Sequence, residues 1–374
     1  MKNKIHKYDF LIIGAGLIGS LLAMALYQKK FKILLIEKEH SMPKDQRTLA
    51  VNANSRDFLK ELNIWDKVKN FQEAIEKIVI RDFLNKEDII FQSDHESMGS
   101  VIFNSDLLRF ARNYLIKNKI LIQGIDYKSL KTLKKNLPIL IKNKSYQFQK
   151  IILCLGKNHE NDALYKKINF ESSHRSHVGF IGHQKNHQQI AYEIFTPNGP
   201  LALLPSPDSK KKSSTFIYSS KKPITHTHLL KLINRHFKKT HGRINLKSNI
   251  SSFPIRPHLA RAKNPNFILL GDNLRSIHPV AGQGWNLGIK DIQTFCKFLD
   301  YHPISDNMFE SYFASKRLPE NLSYIAFTNI LNNLYDNQTP VSKKIIQGAF
   351  SILQRSKTIR NIFIKQAMGR LELI

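Results

Sequence analysis

The sequence predicts an α/β fold in which a parallel-sheet domain and a mixed β-sheet domain are interleaved and a helical region follows at the C-terminus. Three observations predict it. Residues 8–37 read as strand, glycine-rich turn, helix and second strand. Apolar runs of strand length recur between 75 and 103 and between 178 and 220. From Arg317 to Leu371 there is no further strand signal. A chain of 374 residues is long for one core and suits two joined domains. No repeat or low-complexity linker separates them, so they read as discontinuous. Residues 1–74 with 98–165 and 250–310 form the first domain, 75–97 with 166–249 the second, and 311–374 the helical region.

Tyr8 to Ile13 is a continuous apolar run, and Gly14-Ala15-Gly16-Leu17-Ile18-Gly19 turns out of it. Leu21 to Tyr27 reads as helix, and Lys32 to Ile36 as a second strand ending at Glu37. Arg47 to Leu62 is expected to be one helix bearing Leu49, Val51, Phe58 and Leu59. Ile78-Val79-Ile80 and Ile89-Ile90-Phe91 are strand cores. Asp106 to Ile116 has helical spacing, with Ser105 as the expected N-cap. Short strands alternate with Lys/Asn turns from Lys119 and end in the apolar strand Ile151 to Leu155. Strands return over Val178 to Ser220, with Pro207 to Ser214 as a hairpin loop. Phe267 to Leu270 is a buried strand leading into Gly271-Asp272, and from Trp285 the chain is mainly helical.

The formal net charge of +29 stands apart from an otherwise ordinary globular composition. Lysines are scattered along the chain instead of clustering with Arg and aromatics on one element, so no nucleic-acid partner is expected. The scatter favours a genome-wide codon bias. The competing reading is attraction to an anionic membrane surface. Cys154 and Cys296 are the only cysteines, which argues against a disulfide framework or a cysteine metal site and fits a reducing cytoplasm. Lys2, Lys4 and Lys7 before an apolar run imitate a secretory leader, but Gly14, Gly16 and Gly19 interrupt that run. No other stretch reaches the ~20 apolar residues of a spanning helix. The expectation is a cytoplasmic protein, soluble or peripheral on the inner face of the cytoplasmic membrane.

The first glycine turn has a physical logic. Gly14 permits the tight turn off the strand, Gly16 lets backbone approach a pyrophosphate, and Gly19 lets helix and strand pack closely. The helix N-terminus offers free N–H donors to phosphate. Glu37 can accept hydrogen bonds from an adenosine ribose, and an acid there disfavours a 2′-phosphate, so FAD or NAD suits the site better than NADP. A second glycine-rich turn follows much later: Gly271-Asp272, then His278-Pro279-Val280-Ala281-Gly282-Gln283-Gly284-Trp285-Asn286-Leu287-Gly288 and Asp291. A second such turn feeding a helix points to a second phosphate or ring contact.

Several segments in order along the chain carry a resemblance. They are Gly14 to Gly19 with Glu37, Arg47-Thr48-Leu49-Ala50, Gly199-Pro200-Leu201-Ala202-Leu203-Leu204-Pro205, Gly271-Asp272 with His278 to Asp291, and Ala367-Met368-Gly369. Together they resemble the para-hydroxybenzoate-hydroxylase-type FAD-dependent monooxygenases, and within these the ubiquinone-biosynthesis aromatic-ring hydroxylases. The resemblance implies a Rossmann-like FAD-binding domain interleaved with a mixed β-sheet substrate domain, plus a helical C-terminal region. It implies that Asp272 bonds the ribityl chain of FAD, that Arg47 contacts the cofactor, and that Asn104 sits where relatives carry a phosphate-contacting Arg or Asn. It also implies hydroxylation of a polyprenylphenol by O₂ through a C4a-hydroperoxyflavin. Backbone donors of Gly282, Gln283 and Gly284, with Asn286 beside them, would face the flavin ring and accommodate negative charge. The Pro279 carbonyl would line the substrate site, and Pro200 to Pro205 would edge it. His278 is the one evident side-chain base candidate, and a packing role suits it better.

One segment departs from the pattern. Relatives carry Asp-Gly after the strand matching Ile151 to Cys154, whereas this chain has Leu155-Gly156-Lys157-Asn158-His159. The electron source therefore stays open between NAD(P)H and a ferredoxin-like or flavin-reductase protein, and the basic surface suits an acidic protein donor. Two other readings also stay open. One is an inactive flavin-binding scaffold subunit of a quinone-biosynthesis complex. The other is a monooxygenase of the same fold for another phenol or an alkene.

Overall fold

A computed structural model describes residues 4–42, 47–85, 87–127, 138–156, 164–279, 282–304 and 308–371. β1 (Ile5–Ile13), α1 (Leu17–Gln28) and β2 (Ile33–Glu37) follow in sequence, and β1 pairs in parallel with β2, Phe10 opposite Ile33 and Ile13 opposite Ile36. Phe10, Leu11 and Ile12 are fully buried, because a parallel sheet is covered on both faces and selects apolar residues at successive positions.

The single helix expected from Arg47 to Leu62 is instead β3 (Thr48–Asn52) followed by α2 (Ala53–Glu61). Thr48 pairs with Phe103 and Asn52 with Gly99 in an antiparallel ladder, and this long-range pairing overrides the local helical spacing. Asn52 then caps α2, its side chain accepting from the Ser55 N–H at 2.9 Å. After the short α3 (Trp65–Val68) come β4 (Gln72–Ile75), β5 (Lys77–Asp82), β6 (Ile89–Gln92), β7 (Gly99–Phe103) and α4 (Asn104–Lys117). Phe103 occupies the N-cap of α4 without a side-chain bond, so Ser105 lies one step inside the helix and does not cap it.

β8 (Leu121–Gln123), β9 (Ile139–Ile141), β10 (Lys144–Leu153) and β11 (Tyr165–Asn169) lead to β12 (Arg175–His183), β13 (Ile190–Thr196), β14 (Gly199–Pro205) and β15 (Ser213–Ser220). α5 (His226–His241), β16 (Ile244–Leu246), β17 (Ser251–Pro254), β18 (His258–Ala262), β19 (Phe267–Leu269) and β20 (Arg275–Ser276) follow, then α6 (Gln283–Tyr301), α7 (Phe309–Asn337), α8 (Pro340–Arg355) and α9 (Lys357–Ala367). The first sheet has the order β19-β10-β1-β2-β8, with β9 on β10, so strands far apart in sequence flank β1. The second sheet runs β16-β12-β15-β14-β13-β5-β6, with β17 on β12. Residues 251–254 thus lie in the second sheet, although the sequence reading groups them with the first domain.

The two faces of the second sheet differ. Ile181, Ile194, Leu201, Leu203, Phe216 and Tyr218 point to α5 and pack with its Leu229, Ile233 and Phe237 in one buried cluster. Alternation along each strand sends Val178, Phe180, Ala202, Leu204, Thr215 and Ile217 to the other face. Among these, Val178, Phe180, Leu204 and Ile217 are only half-buried. The closing tail, α9 and Met368, packs back on the start of α2: the Asn54 N–H donates to the Met368 carbonyl at 3.1 Å.

Candidate functional site

The first glycine turn is built as its residue types require. A side chain on Gly19 would place Cβ 2.0 Å from the Gly14 carbonyl oxygen, so only glycine lets α1 approach the strand end this closely. At Gly16, the N-cap of α1, a Cβ would meet nothing within 4 Å, which leaves open space in front of the free helix N–H groups. Glu37 reaches this turn from the end of β2, its Oε2 accepting from the Ala15 N–H at 2.6 Å.

Arg112, on α4, is a residue that sequence reasoning missed. It is buried, donates from Nε to the Ala15 carbonyl at 2.8 Å, and lies 3.3 Å from Glu37 Oε2. It therefore fixes both the loop and the acid. A lone arginine in an amphipathic helix resembles a surface charge in sequence, and nothing local marks it as buried.

The second turn meets the first through one side chain. Ile18 of α1 is 3.1 Å from where a Gly271 Cβ would lie and 2.6 Å from that of Gly288. Glycine at both positions lets the 271–273 turn, α1 and α6 converge. Asp291, on α6 and 0% exposed, braces the convergence: it accepts from the Gly271 N–H at 3.3 Å and pairs with Arg275 and with Arg317, whose Nε is 2.9 Å away. Arg317 also binds Glu320, which Lys290 holds at 2.7 Å. Burial alone would raise the Glu320 carboxyl, and Arg317 with Lys290 outweighs it, holding the group below its usual range. This network ties α7 to α6, and its members are too far apart in sequence to be read as a unit.

Each expected site residue has a definite place. Gly282 is left-handed (φ 61°) at the N-cap of α6, and its N–H donates to the Pro279 carbonyl at 3.1 Å. This turn engages a donor expected to face the flavin and an acceptor expected to face substrate. The N–H groups of Gln283 and Gly284, in the first turn of α6, have no partner within the helix by geometry. A Cβ on Gly284 would meet nothing within 4 Å, so space lies in front of these donors. The Asn286 side chain is turned to the protein: Oδ1 accepts from the Asn52 N–H at 3.1 Å and Nδ2 donates to the Ala50 carbonyl at 3.0 Å. The Asn286 side chain thus joins α6 to β3. Asp272 is exposed, and its carbonyl accepts from His258 Nε2 at 3.1 Å. Arg47 and Asn104 are brought together, the Asn104 N–H donating to the Arg47 carbonyl at 2.9 Å. Val280 and Ala281, and Lys157 to His159 of the departing segment, lie outside the described residues.

The second turn also holds buried polar atoms without a protein partner among the described residues. Both side-chain polar atoms of Asn273, Nε and Nη2 of Arg275, both ring nitrogens of His278 and Nε1 of Trp285 are in this state. Buried polar groups are normally paired, so such a concentration marks a place completed by a ligand or water. His278 is 1% exposed, and its pKa is pushed down to about 3 by burial and then by the neighbouring His174, whose ring lies 5.5 Å away edge-on. It is neutral near pH 7, which suits packing over proton transfer. The cofactor-side edge of the second sheet is close: Thr48 Oγ1 on β3 donates to Thr215 Oγ1 at 3.1 Å, and Phe103 lies 5.9 Å from Phe180.

The comparisons with known proteins agree with this arrangement. Residues 7–107 match the model of an FAD-binding domain family. The ubiquinone biosynthesis monooxygenase COQ6 of Dictyostelium discoideum is 24% identical, covering 98% of this chain and 92% of that protein. The 3-demethoxyubiquinol 3-hydroxylase of Escherichia coli is 22% identical, with 96% and 98% covered. The fold is similar to p-nitrophenol 4-monooxygenase PnpA from Pseudomonas putida (TM-score 0.72, 13% identity, 99% and 100% covered) and to the flavin-dependent brominase Bmp2 (0.73, 12%, 97% and 94%). An FAD cradle with a covering sheet is the class of protein that this fold and site define. The chain carries an FAD-binding domain and is similar along nearly its whole length to FAD-dependent monooxygenases, ubiquinone-biosynthesis hydroxylases among them.

Proposed function

We propose that this enzyme hydroxylates the aromatic ring of a polyprenylphenol intermediate in ubiquinone biosynthesis. The observation that carries the reading is the convergence of two glycine turns at Ile18, beside a sheet face bearing half-buried apolar side chains. Full-length relatives named as ubiquinone hydroxylases supply the substrate class. Gly16 and the N-terminus of α1 would hold the pyrophosphate, and Glu37, oriented by Arg112, the adenosine ribose. Asp272 would hold the ribityl chain, with Arg47 and Asn104 at the cofactor's edge. FAD held there would supply the oxygen chemistry, with electrons from an external donor, one oxygen atom entering an electron-rich ring and the other leaving as water. The first-turn N–H groups of α6, at Gln283 and Gly284, would stabilise negative charge on the ring system. Val178, Phe180 and Ile217 would exclude water and seat the apolar substrate.

Profiling quinone intermediates by mass spectrometry in a deletion strain tests this. The expected outcome is loss of ubiquinone and build-up of a less hydroxylated polyprenylphenol, restored by the wild-type gene. Unchanged ubiquinone in the deletion strain would overturn it. So would rescue by a variant that cannot bind FAD, which would make the chain a scaffold subunit.

A further inference from the structure

We infer that α8 and α9 form a docking surface for an anionic lipid bilayer. Residues 337–371 carry Lys or Arg at seven positions and no Asp or Glu. Acids are also missing over residues 209–271, so charge alone does not single out this stretch; the outward apolar row beside its bases does. On α8 the apolar residues divide into two stripes. Ile346 and Phe350, with Ser342, face inward and are buried. Val341, Ile345 and Ile352 face outward, at 67%, 51% and 53% exposure, with spacings of four and seven that keep them on one side of the helix. Gly348, between them on that side, leaves open space where a Cβ would lie. On α9, where no residue is buried, Ile362 is 46% and Phe363 36% exposed.

The cations divide in the same way. Arg360 donates to the Leu353 carbonyl, and Arg370 pairs with Asp57 and Glu96, so both are engaged with the protein. Lys344, Arg355, Lys357 and Lys365 are exposed. Outward isoleucines bordered by exposed cations, with no acid nearby in sequence, match a surface of acyl chains beneath anionic headgroups. An acidic protein would satisfy the lysines but would not call for a row of solvent-exposed isoleucines free of polar pairing. No described helix is long and apolar enough to cross a membrane, so the contact is interfacial.

The test is co-sedimentation of the FAD-loaded full chain with vesicles of phosphatidylcholine containing about a third phosphatidylglycerol, and with phosphatidylcholine alone. The wild type should bind the anionic vesicles, and raised salt should weaken binding. Ile345→Glu with Ile352→Glu should reduce binding about ten-fold or more, and Lys344→Glu with Lys357→Glu by a similar factor. Retained FAD absorbance in each variant shows that the fold persists, and neither pair touches the proposed cofactor site. Failure of the wild type to bind anionic vesicles overturns the inference, as does binding that both double variants leave unchanged. So does binding only to an acidic protein. None of these results bears on ring hydroxylation, which is read separately from the quinone profile.

Discussion

The two glycine turns that make the site are built in opposite ways. The 14–19 turn is complete within the protein: Gly19 is locked by the Gly14 carbonyl, Glu37 binds the Ala15 N–H, and Arg112 closes the loop from behind. The 271–288 turn is braced from below by Asp291, yet Asn273, Arg275, His278 and Trp285 all keep buried polar atoms without a partner among the described residues. On the proposed reading the first turn is a preformed phosphate cradle, and the second is a frame that FAD would finish. Substitutions at the first should therefore disturb fold and binding together, while several at the second should separate them.

The largest effect should come from removing the brace. Asp291→Ala leaves Arg275 and Arg317 as buried charges without their shared partner, and should cost about 3–5 kcal/mol of stability in urea denaturation. A loss below about 1 kcal/mol would mean that water already solvates the network. Next, Gly288→Val forces a side chain into Ile18 and should cost about 1–3 kcal/mol by overpacking. If the two turns share one ligand, the same change should also weaken FAD binding even where circular dichroism shows a folded chain.

Acid should act through His278. Its folded pKa of about 3 lies below the ordinary 6.5, so the unfolded chain takes up a proton that the folded chain refuses. Above pH 6.5 the group contributes nothing to the slope. As pH falls from 6.5 towards 3, stability should drop by at most about 1.4 kcal/mol per unit from this group. Denaturation at a series of pH values should show a shallower acid slope for His278→Gln than for the wild type, and equal slopes would contradict the burial argument. The smallest structural effect belongs to Gly284→Ala. Its Cβ would point into open space, and alanine favours helix by up to ~1 kcal/mol, so stability should hold or rise. Turnover should nonetheless fall, because the methyl group occupies the space in front of the α6 donors.

The same contrast explains what the sequence revealed. Gly14, Gly16, Gly19 and Glu37 form one local unit, and local spacing suffices to find them. The interleaving of a parallel sheet with a mixed sheet was legible from strand-length apolar runs. The start of β3 was not, because Thr48 to Asn52 become a strand only by pairing with residues 99–103. Arg112, 97 residues from Ala15, and the Arg275–Asp291–Arg317 group were invisible for the same reason. Asn286 was found but not its task, since its side chain serves β3 through Ala50 and Asn52. Motif spacing locates a turn. It does not say which of the turn's atoms the protein consumes.

Titrating the purified, flavin-free chain with FAD, followed by absorbance and by denaturation midpoint, tests the central claim most directly. Closure of both turns over one cofactor predicts uptake of a single FAD per chain, with a rise in stability as the unpartnered polar atoms around Asn273 and Arg275 are satisfied. A folded chain that takes up no FAD, or one whose stability does not change on uptake, would contradict it.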